Sequence, residues 1–486
     1  MLFLEDFILY FFNNLFLVYA ILLLLTYFII AIISAVELNY YIKKNRNVDY
    51  RLMISYERLP GVSIIAPAYN EEKNIVENIR CLLSIHYPDY EVIIVNDGSS
   101  DNSLNTIIEH YDLIEVNVAV DFKLDTQPIK AIYKSKNIAF DNLLVIDKEN
   151  GGKGDALNAG INISSKPLFM AIDVDCIIED DAILKMVKPF LEEENEKKVI
   201  ASGGVVRIAN SCEIENGRIV KVHFPSHFLP KFQILEYFRA FILGRMAWSK
   251  INGLLIISGA FGMFDKQLAI QVGGYDTTTV GEDLEIVVRM RRYMHEVAKQ
   301  KYKVSFIPDP LCWTEVPSQL KILGRQRNRW TRGAIDTILK HSKLFFNPKY
   351  GKMGMISYAY WLVFEWFAPI IEVSGLIYFT TLAFFGLINL NTFFIILLFI
   401  FSSAFMYSMW SVFFEAYTYN KYKGNKYLLK VILFSFLEMV LYHPLTVFFS
   451  LKGNYDFFIK KNKKGWGVMT RTAFDAKKKI AVETKK

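Results

Sequence analysis

Residues Leu168–Ile178 read LFMAIDVDCII. The run is apolar as far as Asp173, the pattern of a strand buried on both faces. Asp173 and Asp175 then stand one residue apart at its end. An unpaired carboxylate in apolar surroundings is costly, so the pair needs something to face. Side chains at i and i+2 of an extended segment point to one side, which predicts that both acids converge on one ligand. A hard divalent cation, Mg²⁺ or Mn²⁺, takes carboxylate oxygens and combines them with substrate phosphates. A pair of Asx turns capping the strand exit is the plainer alternative.

Working outward, VSIIAPAYN (62–70), EVIIVNDGSS (91–100) and residues 142–147 read as further strands, and 72–85 and 153–163 as helices. The alternation predicts an α/β domain with a Rossmann-like, mostly parallel sheet and helices on both faces. Ligands of such sheets bind outside the carboxyl ends of the strands. Asn70, Glu71 and Glu72 leave the first strand, Asn96 and Asp97 the second, and Asp173 and Asp175 the later one, so all are expected at one edge. GGKGDALNAG (151–160) adds Lys153 at a helix N-terminus, a setting that favours anions. No phosphate-cradling glycine fingerprint accompanies it. YDTTTVGEDLEIVVRM (275–290) opens an amphipathic helix with Glu282 and Asp283, where acids are ordinary residents. GRQRNRWTRG (324–333) packs four arginines around Trp330. That is either a basic patch beside a membrane or a diphosphate clamp with an aromatic face for a sugar ring.

The chain has 486 residues, of which 52% are hydrophobic and 15% aromatic. The apolar excess lies at the start and in the last third, the composition of a membrane protein with one soluble domain between. Leu15–Val36 is free of charge and long enough to span a bilayer. Glu5 and Asp6 precede it, and Lys43, Lys44, Arg46 and Arg51 follow. The asymmetry predicts an uncleaved anchor with the next domain in the cytosol. The net charge of +7 fits lysines and arginines flanking the membrane, not a nucleic-acid partner. Cys81, Cys176, Cys212 and Cys312 show no metal-ligand or redox spacing and suit a reducing compartment. The expected layout is an anchor at 1–50, a cytosolic domain at 51–333, an interfacial amphipathic helix at 334–352, membrane helices at 353–451, and a basic cytosolic tail at 452–486. Residues 353–390 are expected to split near Pro369, giving four C-terminal spans with 392–417 and 428–450. Three remain if 357–372 lies in the interface.

The order of NDG (96–98), DVD (173–175), GED (281–283) and QRNRW (326–330) resembles that of processive, membrane-embedded family-2 glycosyltransferases. These include cellulose, mixed-linkage β-glucan, hyaluronan, chitin and poly-N-acetylglucosamine synthases. The resemblance covers residues 60–335 and the flanking helices. It implies a cytosolic GT-A domain inserted between transmembrane helices of a multi-pass plasma-membrane protein. By resemblance Tyr69, Glu71 and Asp97 contact uridine with Lys153 nearby, Asp173 approaches the nucleotide, and Asp175 binds the metal. Asp283 is the implied general base of the family's TED motif, which here has Gly281 in place of threonine, with Glu282 on the substrate side. Gln326, Arg329 and Trp330 fill QxxRW, Arg329 holding the diphosphate and Trp330 stacking on the acceptor. SGAFG (258–262) resembles the loop lining the acceptor entrance.

The implied activity is inverting polymerisation from a UDP-sugar. The nascent polysaccharide leaves through a channel among membrane lipids, with Glu365, Glu372, Glu438 and His443 as lining candidates or as partners of one another. Accessory export proteins are candidate partners. UDP-glucose, giving a β-glucan, is the favoured donor. The alternatives are a UDP-N-acetylglucosamine-using synthase and a single transfer to a lipid phosphate carrier. A non-catalytic scaffold is opposed by the intact series Asp97, Asp173, Asp175 and Asp283.

Overall fold

The computed structural model describes residues 2–462 except 57, 193–196, 216, 389, 420–421 and 423–424. The loop lysines at 421 and 423 and the tail from Lys463 onward lie outside the described residues. Twelve strands form among the described residues. They are β1 (Val62–Ala68), β2 (Tyr90–Asp97), β3 (Leu113–Glu115), β4 (Ile129–Ser135), β5 (Leu143–Lys148), β6 (Leu168–Ile172), β7 (Ile177–Ile178), β8 (Lys198–Ile208), β9 (Glu213–Glu215), β10 (Arg218–Lys221), β11 (Phe261–Asp265) and β12 (Tyr302–Thr314). Ten build one sheet in the order β3-β4-β5-β2-β1-β6-β11-β8-β12-β7, and β9 and β10 pair separately.

The α/β domain expected from the alternation forms, and its sheet is mixed, with a parallel central block and antiparallel flanks. Parallel pairing is confined to the block β5-β2-β1-β6 and to β8-β12. On the flanks β4 runs antiparallel to β5, and β11 antiparallel to both β6 and β8. The block is the part whose strands are continuous apolar runs, and β6 is buried along its whole length. Its parallel sense sends the ends of β1, β2, β5 and β6 to one edge, as the motif order requires.

Among the described residues three helices are long and apolar enough to cross a membrane: Tyr10–Asn45, Phe393–Thr418 and Tyr427–Phe458. A pair, Met353–Trp366 and Ala368–Phe384, also qualifies but is bent by 44° at its break. Consecutive spans of opposite sense need a near reversal, so this pair is a single broken span or a re-entrant segment. Among the described residues two or three C-terminal helices could thus cross a membrane, where four were expected. Pro369 explains the break, since it lacks an N–H and sits in the first turn of the second half.

The expected interfacial helix at 334–352 does not form as a separate element. One helix, Leu320–Lys340, carries both the QRNRW motif and the amphipathic run, and short 3₁₀ turns follow. Its Ile338 packs inward with Leu255, Leu284, Val288, Leu344 and Tyr350, so the apolar face meets protein. Residues 452–458, assigned to the tail, continue the helix His443–Phe458, which packs on Leu320–Lys340.

Candidate active site

Each parallel strand of the central block delivers polar groups to the shared edge. Asn70 leaves β1 with φ 57°, a left-handed conformation that asparagine tolerates. Its Oδ1 accepts from the N–H groups of Ser100 (2.8 Å) and Asp101 (3.3 Å), and its own N–H donates to Ser99 Oγ (3.0 Å). The exits of β1 and β2 are thereby stitched together. Tyr69 beside them is 52% exposed, and Glu71 is half-buried.

Asp97 at the end of β2 is buried and heavily engaged. Oδ1 accepts from Lys148 Nζ (2.8 Å) and the Gly151 N–H (2.9 Å), and Oδ2 accepts from the Gly152 N–H (2.8 Å). Lys148 also pairs with Asp155 at 2.5 Å. Asp97, an expected uridine contact, is in this structure also a buried anchor for the glycine turn that launches the helix Lys153–Ile163. Lys148 and Asp155 escaped the sequence reading. The signal was a lysine ending the apolar run of β5, beside a glycine-rich acidic turn.

The DVD pair converges by a different geometry from the one expected. β6 ends at Ile172, and the Cys176 N–H donates to the Asp173 carbonyl at 2.9 Å, closing a turn. The turn, not the pleat, brings Asp173, Asp175 and Cys176 together, with ligand atoms within 4.8 Å of one another. Carboxylate oxygens so placed fit a divalent cation. A hydrogen bond to Cys312, reinforced by burial, pushes the Cys176 thiol well above its ordinary pKa.

Lys153 links this turn to the implied base. Its Nζ donates to Asp173 Oδ1 (2.5 Å) and to the Gly259 carbonyl (2.9 Å). The Gly259 N–H donates to Asp283 Oδ2 (3.2 Å), and Asp283 Oδ1 accepts from the Leu284 N–H (2.9 Å). Burial works against the Lys153 charge, but Asp173, Glu282 and Asp283 outweigh it and hold its pKa above the ordinary value. A Cβ at Gly259 would lie 3.2 Å from Lys153 Nζ and 3.3 Å from Asp283 Cβ. The SGAFG loop therefore sits between the base and the lysine.

Asp283 and Glu282 open the helix Glu282–Tyr293, and Gly281 just before it touches the helix of the QRNRW motif. A Cβ on Gly281 would stand 2.7 Å from Gly333 Cα. The missing threonine has its physical reason here: two backbones meet where its side chain would be. Burial pushes the Glu282 carboxyl upward, Arg329 and Lys153 oppose this, and Asp283 adds to it. Among the described residues, Glu282 Oε2 and Gln326 Oε1 are buried without a hydrogen-bond partner, the condition of acceptors awaiting a ligand. The Arg327 guanidinium lies 4.2 Å from the Trp330 ring centre, and Trp330 remains 40% exposed for a second stacking partner. Arg245, missed from sequence, is lowered to about 10 by burial, against the charge of Asp283.

The acids of the membrane helices are paired. Arg239 donates two bonds to Glu438, at 2.7 and 2.5 Å. His443 Nε2 and Glu372 Oε2 are 2.8 Å apart, and the Tyr360 hydroxyl donates to Glu365 at 3.1 Å. Closer to Trp330, Arg327 pairs with Glu236 at 2.7 Å, and the Tyr442 hydroxyl donates to Glu236 at 2.8 Å.

Comparison with known proteins fits this arrangement. Residues 63–211 match the family described as Glycosyl transferase family 2, and residues 141–333 match Glycosyltransferase like family 2. A poly-beta-1,6-N-acetyl-D-glucosamine synthase of Staphylococcus epidermidis is 30% identical over 305 residues, 62% of this chain and 61% of that protein. The enzyme of the same name from Staphylococcus aureus is 29% identical over 289 residues, 59% of this chain and 58% of that protein. The match thus spans about three fifths of the length of these curated relatives. A solved mannosyltransferase of Pyrobaculum calidifontis, bound to GDP-Man and Mn²⁺, aligns over 90% of this chain and 99% of its own, with 15% identity and a TM-score of 0.47. The two family matches together run from Ser63 to Gly333 and enclose every strand exit described above, and the chain belongs to glycosyltransferase family 2.

Proposed function

We propose that this protein is a processive, inverting hexosyltransferase that polymerises N-acetylglucosamine from UDP-N-acetylglucosamine and moves the product across the plasma membrane. One observation carries the chemical part. Gly259 joins Asp283 and Lys153 through its own N–H and carbonyl, and Lys153 in turn holds Asp173 of the DVD turn. The donor follows the names of the relatives, both N-acetylglucosamine polymerases. The sequence-based preference for UDP-glucose finds no support in those names, and the N-acetylglucosamine alternative replaces it.

Asp283 accepts the proton of the acceptor hydroxyl as its oxygen bonds to the anomeric carbon and the bond from that carbon to the diphosphate breaks. Lys153 and Arg329 face the charge left on the departing UDP. Asp175, with Asp173, would hold a divalent metal, Mg²⁺ or Mn²⁺, which supplies charge neutralisation at the diphosphate. Tyr69 and Glu71 flank the uridine side, while Asp97 keeps the Gly151–Gly152 turn in place beneath it. Gln326 and Glu282 offer their unpartnered oxygens to sugar hydroxyls, and Trp330 stacks on the acceptor. The paired groups Arg239–Glu438, His443–Glu372 and Tyr360–Glu365 give a polar chain hydrogen-bond partners along its path between the helices.

In this reading residues 51–333 form a cytosolic catalytic domain between membrane helices. A donor screen of the purified protein with UDP-N-acetylglucosamine, UDP-glucose and UDP-glucuronate tests it, followed by linkage-specific glycosidase digestion. Polymer from UDP-N-acetylglucosamine alone supports the proposal, and polymer from UDP-glucose alone overturns it.

A further inference from the structure

We propose that Glu236 and Tyr442 are positioning residues for the acceptor: they seat the Arg327 guanidinium against one face of the Trp330 indole, so the membrane helix that carries Tyr442 sets where the growing chain end rests. The inference rests on the reading of Trp330 as the acceptor platform and adds what holds that platform. Arg327 and Trp330 lie three residues apart in the helix Leu320–Lys340, a spacing that puts them on one face. The guanidinium stands over the indole, 4.2 Å from the ring centre, and Trp330 stays 40% exposed, which leaves surface for a sugar. Arg327 is itself buried, where an unpaired charge is costly. Its Nη1 pairs with Glu236 Oε1 at 2.7 Å and its Nη2 donates to Glu236 Oε2 at 2.8 Å, a two-pronged contact that fixes the plane of the group. Nη2 also donates to the Tyr442 hydroxyl at 3.2 Å, and that hydroxyl donates to Glu236 Oε2 at 2.8 Å, closing a triangle. Its floor is apolar. Tyr442 stacks on Phe232 with ring centres 5.3 Å apart, and Leu323, one turn before Arg327, joins the same cluster.

The triangle draws on three elements. Arg327 comes from the QRNRW helix, Glu236 from the helix Phe228–Tyr237, and Tyr442 from a π-helical turn, Glu438–Tyr442, inside the apolar helix Tyr427–Phe458. Single wide turns of this kind recur at functional positions of helices. This one is pinned at its other end too, since Arg239, three residues after Glu236, donates to Glu438 at 2.7 and 2.5 Å. A contact that only fastened helices together could stop at Glu236 and Tyr442. Here it ends on the indole, so a displacement of the turn reaches the surface that the acceptor meets.

The test is product length. A chain grows until its end escapes, so looser seating of the indole shortens the polymer, whereas a folding defect lowers the number of active molecules but not the length each one makes. Purified full-length Tyr442→Phe and Glu236→Gln, supplied with saturating UDP-N-acetylglucosamine, should make chains about three- to tenfold shorter, the range of one lost hydrogen bond, with UDP affinity within about twofold. Trp330→Ala should shorten the chains at least as much. Without any substrate, acrylamide quenching of the Trp330 emission, taken as the difference from Trp330→Phe, should rise in both variants. Unchanged chain length in Tyr442→Phe, with Trp330→Ala shortened, overturns the inference. Full-length chains from Trp330→Ala sink the acceptor reading instead. The seating of the indole is then decided by the quenching, which rises if Tyr442 holds the stack and is unchanged if it does not. Tyr442→Phe removes one hydroxyl and keeps the stacked ring, so the test stands even if Glu236→Gln does not fold.

Discussion

Replacing Asp97 by asparagine distinguishes an anchor from a ligand contact. The carboxylate accepts three hydrogen bonds of 2.8–2.9 Å, from Lys148 and from the N–H groups of Gly151 and Gly152. Asparagine keeps the shape but turns one oxygen into an NH₂ group, which must face a donor. At least one bond to a charged acceptor is lost, worth about 1.5–3 kcal/mol, and the others weaken with the charge. Lys148 retains Asp155 at 2.5 Å, so no buried ion is orphaned and the domain should still fold. The loss should concentrate in the glycine turn. Amide exchange across Glu149–Lys153 should therefore speed up about 10- to 100-fold, taking about 1.4 kcal/mol per factor of ten. UDP affinity should fall in parallel, because the same turn fixes Lys153. Hydrogen–deuterium exchange read by mass spectrometry, with calorimetric UDP titration, gives both quantities. If UDP affinity collapses while exchange in this segment is unchanged, Asp97 acts directly on the nucleotide and the anchoring argument is wrong.

Other substitutions test other parts of the site. Asp283→Asn should lower polymer formation by about 10²–10⁴-fold while UDP binding, measured by the same calorimetry, stays within a few-fold. Gly259→Ala forces Lys153 and Asp283 apart by a few tenths of an ångström, and should cost about tenfold in kcat with little change in the UDP dissociation constant. Glu282 and Glu285 should respond to pH in opposite senses. Burial leaves the Glu282 carboxyl raised, so its stability contribution is present below the ordinary glutamate pKa of about 4.3 and is lost as pH rises through the folded value. Burial also opposes the Glu285 charge, but His341 and Arg289 outweigh it and depress its pKa. Its contribution is present above about 4.3 and is lost as pH falls. Thermal midpoints across the acidic range should therefore decline less with rising pH in Glu282→Gln, and less with falling pH in Glu285→Gln, than in the unaltered protein.

Much of the site was legible because its parts lie at ends of apolar runs. Each strand of the central block announces itself by composition, and the acid that follows stands out against it. What the runs do not encode is partnership. Asp97 and Asp173 look alike in sequence, yet one is enclosed by Lys148 and a glycine turn while the other faces Lys153. The convergence of Asp173 and Asp175 was foreseen for the wrong reason, since a turn at Val174–Asp175 replaces the expected pleat. The membrane segments misled for a related cause. Hydropathy counts residues in apolar runs but not the angle at a proline, so it does not register that the two halves meeting near Pro369 are bent by only 44°. The run after Trp330 carries an amphipathic stripe that suits a lipid surface as well as it suits Leu255 and Leu284.

The contact of Gly281 with Gly333 ties two working parts to a common height. One helix carries the carboxylate proposed to take the proton, the other carries the indole proposed to hold the growing end, and at the Gly281–Gly333 contact their main chains meet directly. The vertical distance between the two is consequently a property of missing side chains. Restoring threonine at position 281 alone would lift the indole away from the carboxylate like a shim under a hinge. A threonine there becomes tolerable only if the second helix is re-seated along its whole length, so the unusual tripeptide and the glycine fifty residues downstream have to be exchanged as one unit.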